Sequence, residues 1–492
     1  MGLRASQFRW FRVGSRVRIQ PDCVEVQRTV VTTAHPLQRV GAVVLAVLGD
    51  LDDPAELRPE RFDEVCRIMT DDLLSTADVE NSKSPGGFWL RAAGMFWPNS
   101  RGLTTTNRNK MSPQERRKQI AEWRTFPDRS RWPGVPCALC GRPACGYYGK
   151  VDVPLGASVS YRNTPPRGHE GLALCFACLN SFYALPYACQ IGGGRAAVLH
   201  SWDEDFLRRT TRLQISRTRK EAGLGVGSEE QPWYWREVTA LRYIQRHPRR
   251  LSAGVQLIVF THNNRDQMLE EYALDQPLAE WLRSTLHGRS QHRGYQYLVR
   301  AHRIENRPGT SMLAGNVFRH PDQVLKTAVA FLHRVSAKST TVPGEVPDLV
   351  PLIVSYAIEV LRVNGKDIDR LRQLADNIAE TLAPHRERGV LKYYESAHRD
   401  PKRLQEWLRK RAVSWALKPP EGQTGPFVTL DQWRLLFDAD GRAGTHRDLL
   451  FVAVLERLYQ RGWRADDVED RQDLDDHLVD DPIEELVAEE NQ

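Results

Sequence analysis

The sequence predicts an α+β protein, with a mixed N-terminal domain that carries an inserted four-cysteine finger and is followed by a C-terminal helical bundle. Residues 8–20 alternate between apolar and basic side chains, which is typical of a strand with one exposed face. Two Cys-x-x-Cys pairs lie near the middle of the chain. From Asn316 onward, apolar residues recur at helical spacing between short loops, the pattern of a helical bundle. Because 492 residues are many for one core, we expect two or three domains.

The N-terminal region predicts strands first and helices after them. Val24 to Thr32 is the expected partner strand of residues 8–20. A helix follows from Pro36, a residue that suits a first helical turn, to Gly49, which suits a helix end. A second helix is expected to begin near Pro59. This mixture of strands and helices is what places the N-terminal domain in the α+β class.

The segment that follows predicts less regular structure. Residues 81–135 are rich in Gly, Pro, Asn, Arg and Trp, which indicates loops, with one short helix from Pro113 to Trp123. Beyond the cysteine pairs, Ala196 to His200 and Val255 to Phe260 have the composition of strands. The α+β pattern therefore extends beyond the cysteines.

The C-terminal part contains the clearest helical pattern in the chain. One apolar stripe is formed by Ile368, Leu371, Leu374, Ala375, Ile378 and Leu382. Asn364-Gly365 is expected to end the preceding helix, and Asp367 to cap the new one. The sequence thus predicts five regions: an α+β domain (1–135), a zinc-finger region (136–200), a basic α+β region (201–315), a helical bundle (316–465) and an acidic tail (466–492).

The two cysteine pairs have the spacing of metal ligands. They are Cys137-Ala-Leu-Cys140 and Cys175-Phe-Ala-Cys178, and Gly141 can supply the positive φ that a tight metal-binding turn needs. Two thiolates separated by two residues on such a turn can face one ion, so the four cysteines predict a tetrahedral zinc site. Zinc with four protein ligands has no open position, so this zinc is expected to shape the fold rather than catalyse a reaction.

The sequence also allows other interpretations of the cysteines. The two pairs are also compatible with buried, reduced segments or with a redox pair, although a redox motif needs only one Cys-x-x-Cys. The 34 residues between the pairs exceed the spacer of a minimal zinc ribbon, so a hairpin or loop is expected there. Cys145 or His169 could replace one of the four ligands.

Charge is distributed unevenly along the chain. The formal net charge is +7, but residues 466–492 contain thirteen Asp or Glu and one Arg, a net of −12 that leaves +19 on the first 465 residues. A strongly basic body indicates a polyanionic partner, most simply nucleic acid. The basic residues are 57 Arg and only 12 Lys, however, a bias that a GC-rich genome also produces. We expect the acidic tail to be a solvated or weakly helical end.

One basic cluster stands out within this body. Six cations fall within thirteen residues: Arg208, Arg209, Arg212, Arg217, Arg219 and Lys220. We expect these residues to contact nucleic-acid phosphates, and the alternative is a solvated basic face of a helix.

The N-terminus gives no sign of export. It has no apolar segment of the kind that signal peptides contain, and the apolar stretch from Gly41 to Leu48 is far too short to span a membrane. We therefore expect a cytoplasmic protein without a membrane partner. Reduced cysteines that hold a metal fit that compartment.

Four segments, in this order, resemble the large subunit of type I-B CRISPR effector complexes (Cascade). They are Thr33-Ala-His-Pro-Leu-Gln-Arg-Val-Gly41 with Leu48-Gly-Asp-Leu-Asp-Asp-Pro54-Ala-Glu-Leu57; Phe96-Trp-Pro-Asn-Ser100; Gly171-Leu-Ala-Leu-Cys175-Phe-Ala-Cys178 with Ala184-Leu-Pro186; and Trp433-Arg-Leu-Leu-Phe437 with His446-Arg447-Asp448-Leu-Leu450. In the first segment Ala34 stands where the family motif has Gly, and Arg39 stands at the position of its Asp. The similarity covers residues 30 to 460 approximately.

This resemblance implies a non-catalytic role in antiviral defence. Such a subunit sits in a ribonucleoprotein near the 5′ end of the guide (CRISPR) RNA, beside the backbone subunit and the subunit that binds that end. Its N-terminal part recognises a protospacer-adjacent motif on double-stranded target DNA and begins R-loop formation. Its helical C-terminal part lines the path of the displaced strand, and a helicase-nuclease is recruited in trans.

Reading a short DNA motif requires side chains that reach base edges. Arg pairs with guanine and Asn with adenine, and long loops can present both. The candidate is an expected exposed loop at residues 99–110, with Asn107, Arg108, Asn109 and Lys110 as readers. The alternative is a solvated loop in which the Asn residues serve turns.

Two other functions compete with this one. A zinc-dependent nuclease would need a histidine-rich core that binds a catalytic ion, and His262-Asn263-Asn264 is the only His-Asn-Asn run. A non-catalytic adaptor protein stabilised by zinc is the second alternative. Magnesium-dependent cleavage that requires His262 would favour the nuclease, and purification free of nucleic acid would favour the adaptor.

Overall fold

The computed structural model describes residues 23–84, 86–100, 102–104, 108–156, 171–224, 234–262, 267–338, 341–385, 387–420, 422, 424–438 and 441–464. The chain divides into two compact units, an N-terminal unit of residues 1–231 and 251–275 and a helical unit of residues 232–250 and 276–492. Residues of the expected basic region 201–315 therefore fall in both units, and the five-region division stays a prediction. The expected strand at 8–20 and the acidic tail lie outside the described residues.

The N-terminal unit is α+β, as predicted. Its described helices are α1 (Cys23–Val26), α2 (Pro36–Leu48), α3 (Pro59–Leu74), α4 (Phe88–Phe96), α5 (Pro113–Arg124), α6 (Phe176–Ala184) and α7 (Glu204–Leu224). Its described strands are β1 (Gly146–Tyr148), β2 (Leu172–Leu174), β3 (Gln190–Gly192), β4 (Arg195–Ser201), β5 (Val255–His262) and β6 (Gln267–Leu274). The expected helices at Pro36, Pro59 and Pro113 are confirmed.

The strands form two antiparallel sheets. β1 pairs with β2 in a short hairpin, and the second sheet has the order β3-β4-β5-β6. Gly193 and Gly194 connect β3 to β4 with φ of 58° and 71°, values that a two-residue hairpin turn requires. Ala196 of β4 lies opposite Phe260 of β5, which confirms the two strands expected from sequence. Val198 and Phe260 belong to the buried apolar cluster that also contains α2 and α6 residues.

Two expectations about the N-terminal segments are wrong. Val24 to Thr32 is not a strand: α1 occupies its beginning, and hydrogen bonds from Arg28 N to Glu25 O and from Thr29 N to Val26 O continue it as a turn. Residues 81–135, where loops and one short helix are expected, also contain α4. α4 forms because its aromatic residues are buried; the Phe96 ring, for example, packs edge-on against Phe260 with centroids 5.5 Å apart.

A close helix contact in this unit joins α2 to α6. Gly41 of α2 faces the backbone of Ser181 in α6, and a β-carbon built on Gly41 would lie only 1.8 Å from the Ser181 carbonyl oxygen. Buried Gln38 donates from Nε2 to Val31 O (2.8 Å) and to Ser181 Oγ (3.2 Å). His35 caps α2, and its ring packs edge-on against Phe182. The Thr33–Gly41 segment therefore fixes how α2 lies on α6.

The helical unit contains eleven helices among the described residues. They are α8 (Trp235–Gln245), α9 (Gln276–Ser284), α10 (Arg289–His302), α11 (Gly309–Arg319), α12 (Asp322–Lys338), α13 (Val346–Glu359), α14 (Gly365–Leu382), α15 (Arg388–His398), α16 (Pro401–Leu417), α17 (Leu430–Phe437) and α18 (Ala443–Gln460). The predicted apolar stripe of α14 is entirely buried. Asn364, not Asp367, caps α14, because the Asn364 side chain accepts a hydrogen bond from Lys366 N. No described helix combines the length and apolar character needed to cross a bilayer.

Buried histidines connect three helices of this unit. His333 of α12 and His398 of α15 lie 3.2 Å apart through Nε2 and Nδ1, and His398 Nε2 donates to Arg447 O at 2.8 Å. The His333 ring stacks on Phe451 of α18, with centroids 3.6 Å apart. Burial lowers the pKa of His398 to about 4 and that of His333 to about 3, so both rings are neutral at neutral pH.

Replacement of Gly41 tests the α2–α6 contact. Gly41→Ala should lower the free energy of unfolding of the N-terminal unit by about 1–3 kcal/mol, because the new methyl group overlaps the Ser181 carbonyl. Gly94→Ala is the matched control, since Gly94 lies exposed on α4 with open space around it and should gain about 0.5–1 kcal/mol of helix propensity. Urea unfolding measures both variants, and equal stability of the two would contradict this packing.

The buried histidines predict a pH dependence of stability. Between pH 7 and pH 5, His398 gains a proton in the unfolded chain but not in the folded one, so acidification favours unfolding. Its share of the loss is about 2 kcal/mol. His398→Gln should reduce the pH dependence of unfolding by that amount, whereas the control His292→Gln alters an exposed residue and should retain the wild-type dependence. An unchanged dependence in His398→Gln would contradict the buried neutral ring.

Candidate metal centre and basic helix

The first cysteine pair lies on a tight backbone turn. Cys137 N donates to Arg142 O at 2.6 Å, and Gly141 N donates to Cys137 O at 2.9 Å. Gly141 has φ of 75°, the positive value expected from sequence. Pro136 and Pro143 form an isolated bridge that closes the base of the turn. Cys137 and Cys140 therefore present their sulfurs on the same side of one turn.

The second pair lies where β2 passes into α6. Cys175 is the N-cap of α6, and its Sγ accepts from Cys178 N at 3.5 Å. Cys178 lies in the first turn, so its sulfur points back toward the same end of the helix. Two backbone hydrogen bonds join this part to the first turn, from Ala138 N to Ala173 O and from Cys145 N to Leu174 O, both at 2.8 Å.

The four cysteines meet at one point. Their Sγ atoms all lie within 4.8 Å of one another, and those of Cys140 and Cys175 are 3.5 Å apart. Tetrahedral zinc with Zn–S bonds of about 2.3 Å requires sulfurs about 3.8 Å apart, so this arrangement fits the ion. Cys137, Cys175 and Cys178 are buried. Hydrogen bonds from the neighbouring thiols, that of Cys140 first, hold the pKa of Cys137 below its ordinary value.

The alternative ligands do not join this cluster in the described part of the chain. Cys145 is buried, but its Sγ lies 3.3 Å from the Tyr148 hydroxyl, and burial raises the pKa of this thiol to about 11. His169 lies outside the described residues. Among the described residues, the geometry supports a metal-ligand set of the four cysteines.

Gln27 is a supporting residue that sequence reasoning missed. It is fully buried, donates from Nε2 to Pro143 O at 2.6 Å and accepts on Oε1 from Phe176 N at 2.8 Å. One amide thus connects the first cysteine turn to the start of α6. No pattern in the sequence indicates this role, because Gln27 lies in the segment that was expected to be a strand.

The expected base-reading loop is only partly exposed. Arg108 is 2% exposed, and its Nη2 donates to Thr76 O at 3.0 Å and to Val79 O. Its guanidinium therefore donates to carbonyls just beyond the C-terminus of α3, and we remove Arg108 from the base-reading set. Asn109 and Lys110 are exposed, and Asn107 lies outside the described residues.

The basic cluster lies on α7, which has two contrasting faces. The residues that face the core recur at helical spacing and are Phe206, Leu207, Thr210, Thr211, Gln214, Ile215 and Thr218. Five of the six cations are exposed on the remaining surface, namely Arg209, Arg212, Arg217, Arg219 and Lys220, while Arg208 is half-buried. The cluster is thus the outer face of a helix that is anchored in the core.

Some cations of α7 already have carboxylate partners. Asp52 contacts both Arg208 (3.4 Å) and Arg212 (2.6 Å), and Glu221 contacts Arg217 at 3.2 Å. Among the described residues, Arg209 and Lys220 form no ion pair. These pairs are solvent-exposed and worth well under about 1 kcal/mol each, so a phosphate can replace the carboxylates at little cost.

His262, the residue on which a nuclease would depend, is a buried structural residue. Its Nδ1 accepts from Leu155 N at 3.0 Å and from Gln267 Nε2 at 3.1 Å, and its Nε2 donates to Lys150 O at 2.8 Å. Burial lowers its pKa to about 4. Both ring nitrogens are therefore occupied by the protein, which leaves neither free to bind a metal ion.

No family model matches this chain, and neither a curated protein nor a solved structure matches it.

Loss of one cysteine should release the metal. Cys175→Ser should lower bound zinc from one equivalent per chain to none and unfold the region around α6, because zinc-binding energy at such a site is folding energy. Cys145→Ser is the control: it also alters a buried thiol, but one outside the cluster, and should retain one equivalent. Elemental analysis of both purified variants measures this, and zinc retained by Cys175→Ser would exclude the four-cysteine site.

Proposed function

We propose that this protein is a nucleic-acid-binding subunit, whose four-cysteine zinc centre stabilises the fold and whose α7 contacts phosphates. The observation that carries this proposal is the exposed face of α7 with its five cations, Arg209, Arg212, Arg217, Arg219 and Lys220. From 209 to 220 this face extends about 16 Å along the helix axis. Because the opposite face is buried, the cations sit on a fixed support, which suits repeated phosphate contacts.

The zinc centre contributes no reaction in this proposal. Four cysteines fill the tetrahedral coordination of zinc, and therefore no position remains for water or substrate. Bound zinc would hold the turn at Cys137 against the start of α6 at Cys175. The protein then acts through binding alone.

The more specific proposal is the large subunit of a type I CRISPR surveillance complex. It rests on the resemblance of four segments that occur in the same order as in that family. Three of these segments contribute residues that are buried or that form contacts between helices. Gln38 and Gly41 of the first segment contact α6, Phe96 and Trp97 of the second are buried, and Cys175 of the third opens α6. In that role the partners are guide RNA, double-stranded target DNA, the other Cascade subunits and a helicase-nuclease recruited in trans.

In this role, fewer residues are available to contact the bases of the DNA motif than the sequence indicated. Asn109 and Lys110 have exposed side chains close to the N-terminus of α5, whereas the guanidinium of Arg108 is committed to backbone carbonyls. We propose Asn107, Asn109 and Lys110 as the base-edge contacts, with Arg108 holding the loop against the segment just beyond the C-terminus of α3.

Purification of the tagged chain from its native host tests the specific proposal. Short RNAs that share one constant 5′ end, together with a multi-copy backbone protein, are the expected companions. A chain that purifies alone or with unrelated RNA would contradict the CRISPR role. It would not test nucleic-acid binding by α7, which needs a separate measurement.

That measurement is the salt dependence of binding. Replacement of Arg209, Arg217 and Lys220 by Gln should reduce the log–log salt slope for duplex DNA by about 2.7, at about 0.9 for each lost phosphate contact. Replacement of Arg67, Lys83 and Lys118, which are exposed cations of the same unit outside α7, is the control and should leave the slope unchanged. Equal slopes for the two triple variants would remove α7 from the interface.

A further inference from the structure

The helical unit has an exposed apolar surface on two adjacent helices. Tyr393 of α15 and Val413 and Leu417 of α16 have exposed fractions of 55%, 61% and 82%. α15 and α16 pack together through Tyr394 and Trp407, whose ring centroids are 5.0 Å apart. Val413 and Leu417 are four positions apart and so lie on one face of α16, and exposed apolar side chains grouped in this way are typical of a surface that a partner covers.

The same surface is basic. Its exposed cations are Lys392, Arg399, Lys402, Arg403, Arg409 and Lys410, and the carboxylates beside them are Asp400 and Glu406. Lys410 pairs with Glu406 at 2.8 Å, and Arg403 lies 3.7 Å from Asp400. Both pairs are solvent-exposed and weak, so an acidic partner can compete for these cations. We call the exposed sides of α15 and α16 the basic-apolar surface.

We propose that the acidic C-terminal segment, residues 466–492, docks on the basic-apolar surface of its own chain. The segment carries thirteen carboxylates and one Arg, which complements the six exposed cations. It also contains apolar residues at intervals of one to four positions: Leu474, Leu478, Val479, Ile483, Leu486 and Val487. A solvated chain end would not need these apolar side chains. In a docked segment they would pack against Tyr393, Val413 and Leu417.

The point at which the chain enters this segment supports the proposal. Trp463 is 6% exposed, and its Nε1 donates to His385 O at 3.3 Å, just before α15 begins at Arg388. The last described residues before the acidic segment thus lie beside one end of the surface. Extended, its residues reach up to about 90 Å, and α16 is only about 26 Å long.

Because the acidic segment is part of the same chain as the basic-apolar surface, weak complementarity is enough to keep it docked there. A segment attached by a short linker has an effective concentration in the millimolar range at its site, so even a modest affinity gives a high occupancy. The docked segment would exclude other polyanions from these cations. This proposal does not depend on the nucleic-acid-binding role of α7.

Carbodiimide cross-linking of the full chain tests the docking, because it joins carboxylates to amines in direct contact. The chain has only 12 lysines, which makes the products easy to assign. The expected products link the acidic segment to Lys392, Lys402 or Lys410. Lys326 and Lys366, which are exposed elsewhere in the helical unit, are the controls and should not link to it. The Glu406–Lys410 pair is an internal positive control for the chemistry.

Variants of the exposed apolar residues separate docking from chance collisions. Val413→Ser with Leu417→Ser should spare folding, because both side chains are exposed, and should abolish the cross-links from the segment to α16. Leu478→Ser with Ile483→Ser should abolish the same products from the other side. Mixing ¹⁴N-labelled and ¹⁵N-labelled protein shows whether each product lies within one chain.

Three results would overturn the proposal. They are equal linkage of the segment to Lys366 and Lys410, products that join two different chains, and absence of segment products while the Glu406–Lys410 link forms. If an oligonucleotide occupies this surface instead, ultraviolet cross-linking should attach it to Tyr393 while the segment products are missing.

Discussion

The N-terminal unit depends on four sulfur atoms that must share one small volume. Thiolates within 4.8 Å of one another repel unless a cation neutralises them, and the zinc ion that we propose here would both neutralise them and fix their directions. This constraint joins the turn at Cys137 to the start of α6 at Cys175, which are far apart in sequence. The buried thiols Cys137, Cys175 and Cys178 also belong to the main apolar cluster of the unit. Metal binding at this site would therefore also stabilise the core.

The position of α6 determines how α2 lies and, through α2, how the start of α7 is held. α2 rests on α6 because Gly41 allows close approach to Ser181 and because Gln38 connects the two helices. At its start, α2 also contacts the beginning of α7: the Arg39 guanidinium pairs with Glu204 and lies 4.6 Å from the centroid of the Trp202 ring. A continuous path of packing thus leads from the metal centre through α6 and α2 to the basic helix.

Local patterns in the sequence predicted the parts of this structure that local interactions determine. Cysteine spacing indicated the ligand set, and apolar periodicity indicated α2 and the buried stripe of α14. Features that depend on tertiary contacts were missed. Arg108 reads as a loop cation, yet its guanidinium satisfies carbonyls at 76 and 79, which no local pattern reveals. Similarly, the Gly and aromatic residues around α4 concealed a helix that exists because its aromatic side chains are buried.

The central claim is that one zinc ion bound by four cysteines organises the N-terminal unit. X-ray absorption at the zinc edge of the purified full-length protein tests this claim most directly, because it counts ligands and measures bond lengths. Four sulfur ligands at about 2.3 Å are the predicted result. A zinc shell that contains nitrogen or oxygen, or a folded protein without zinc, would contradict the account.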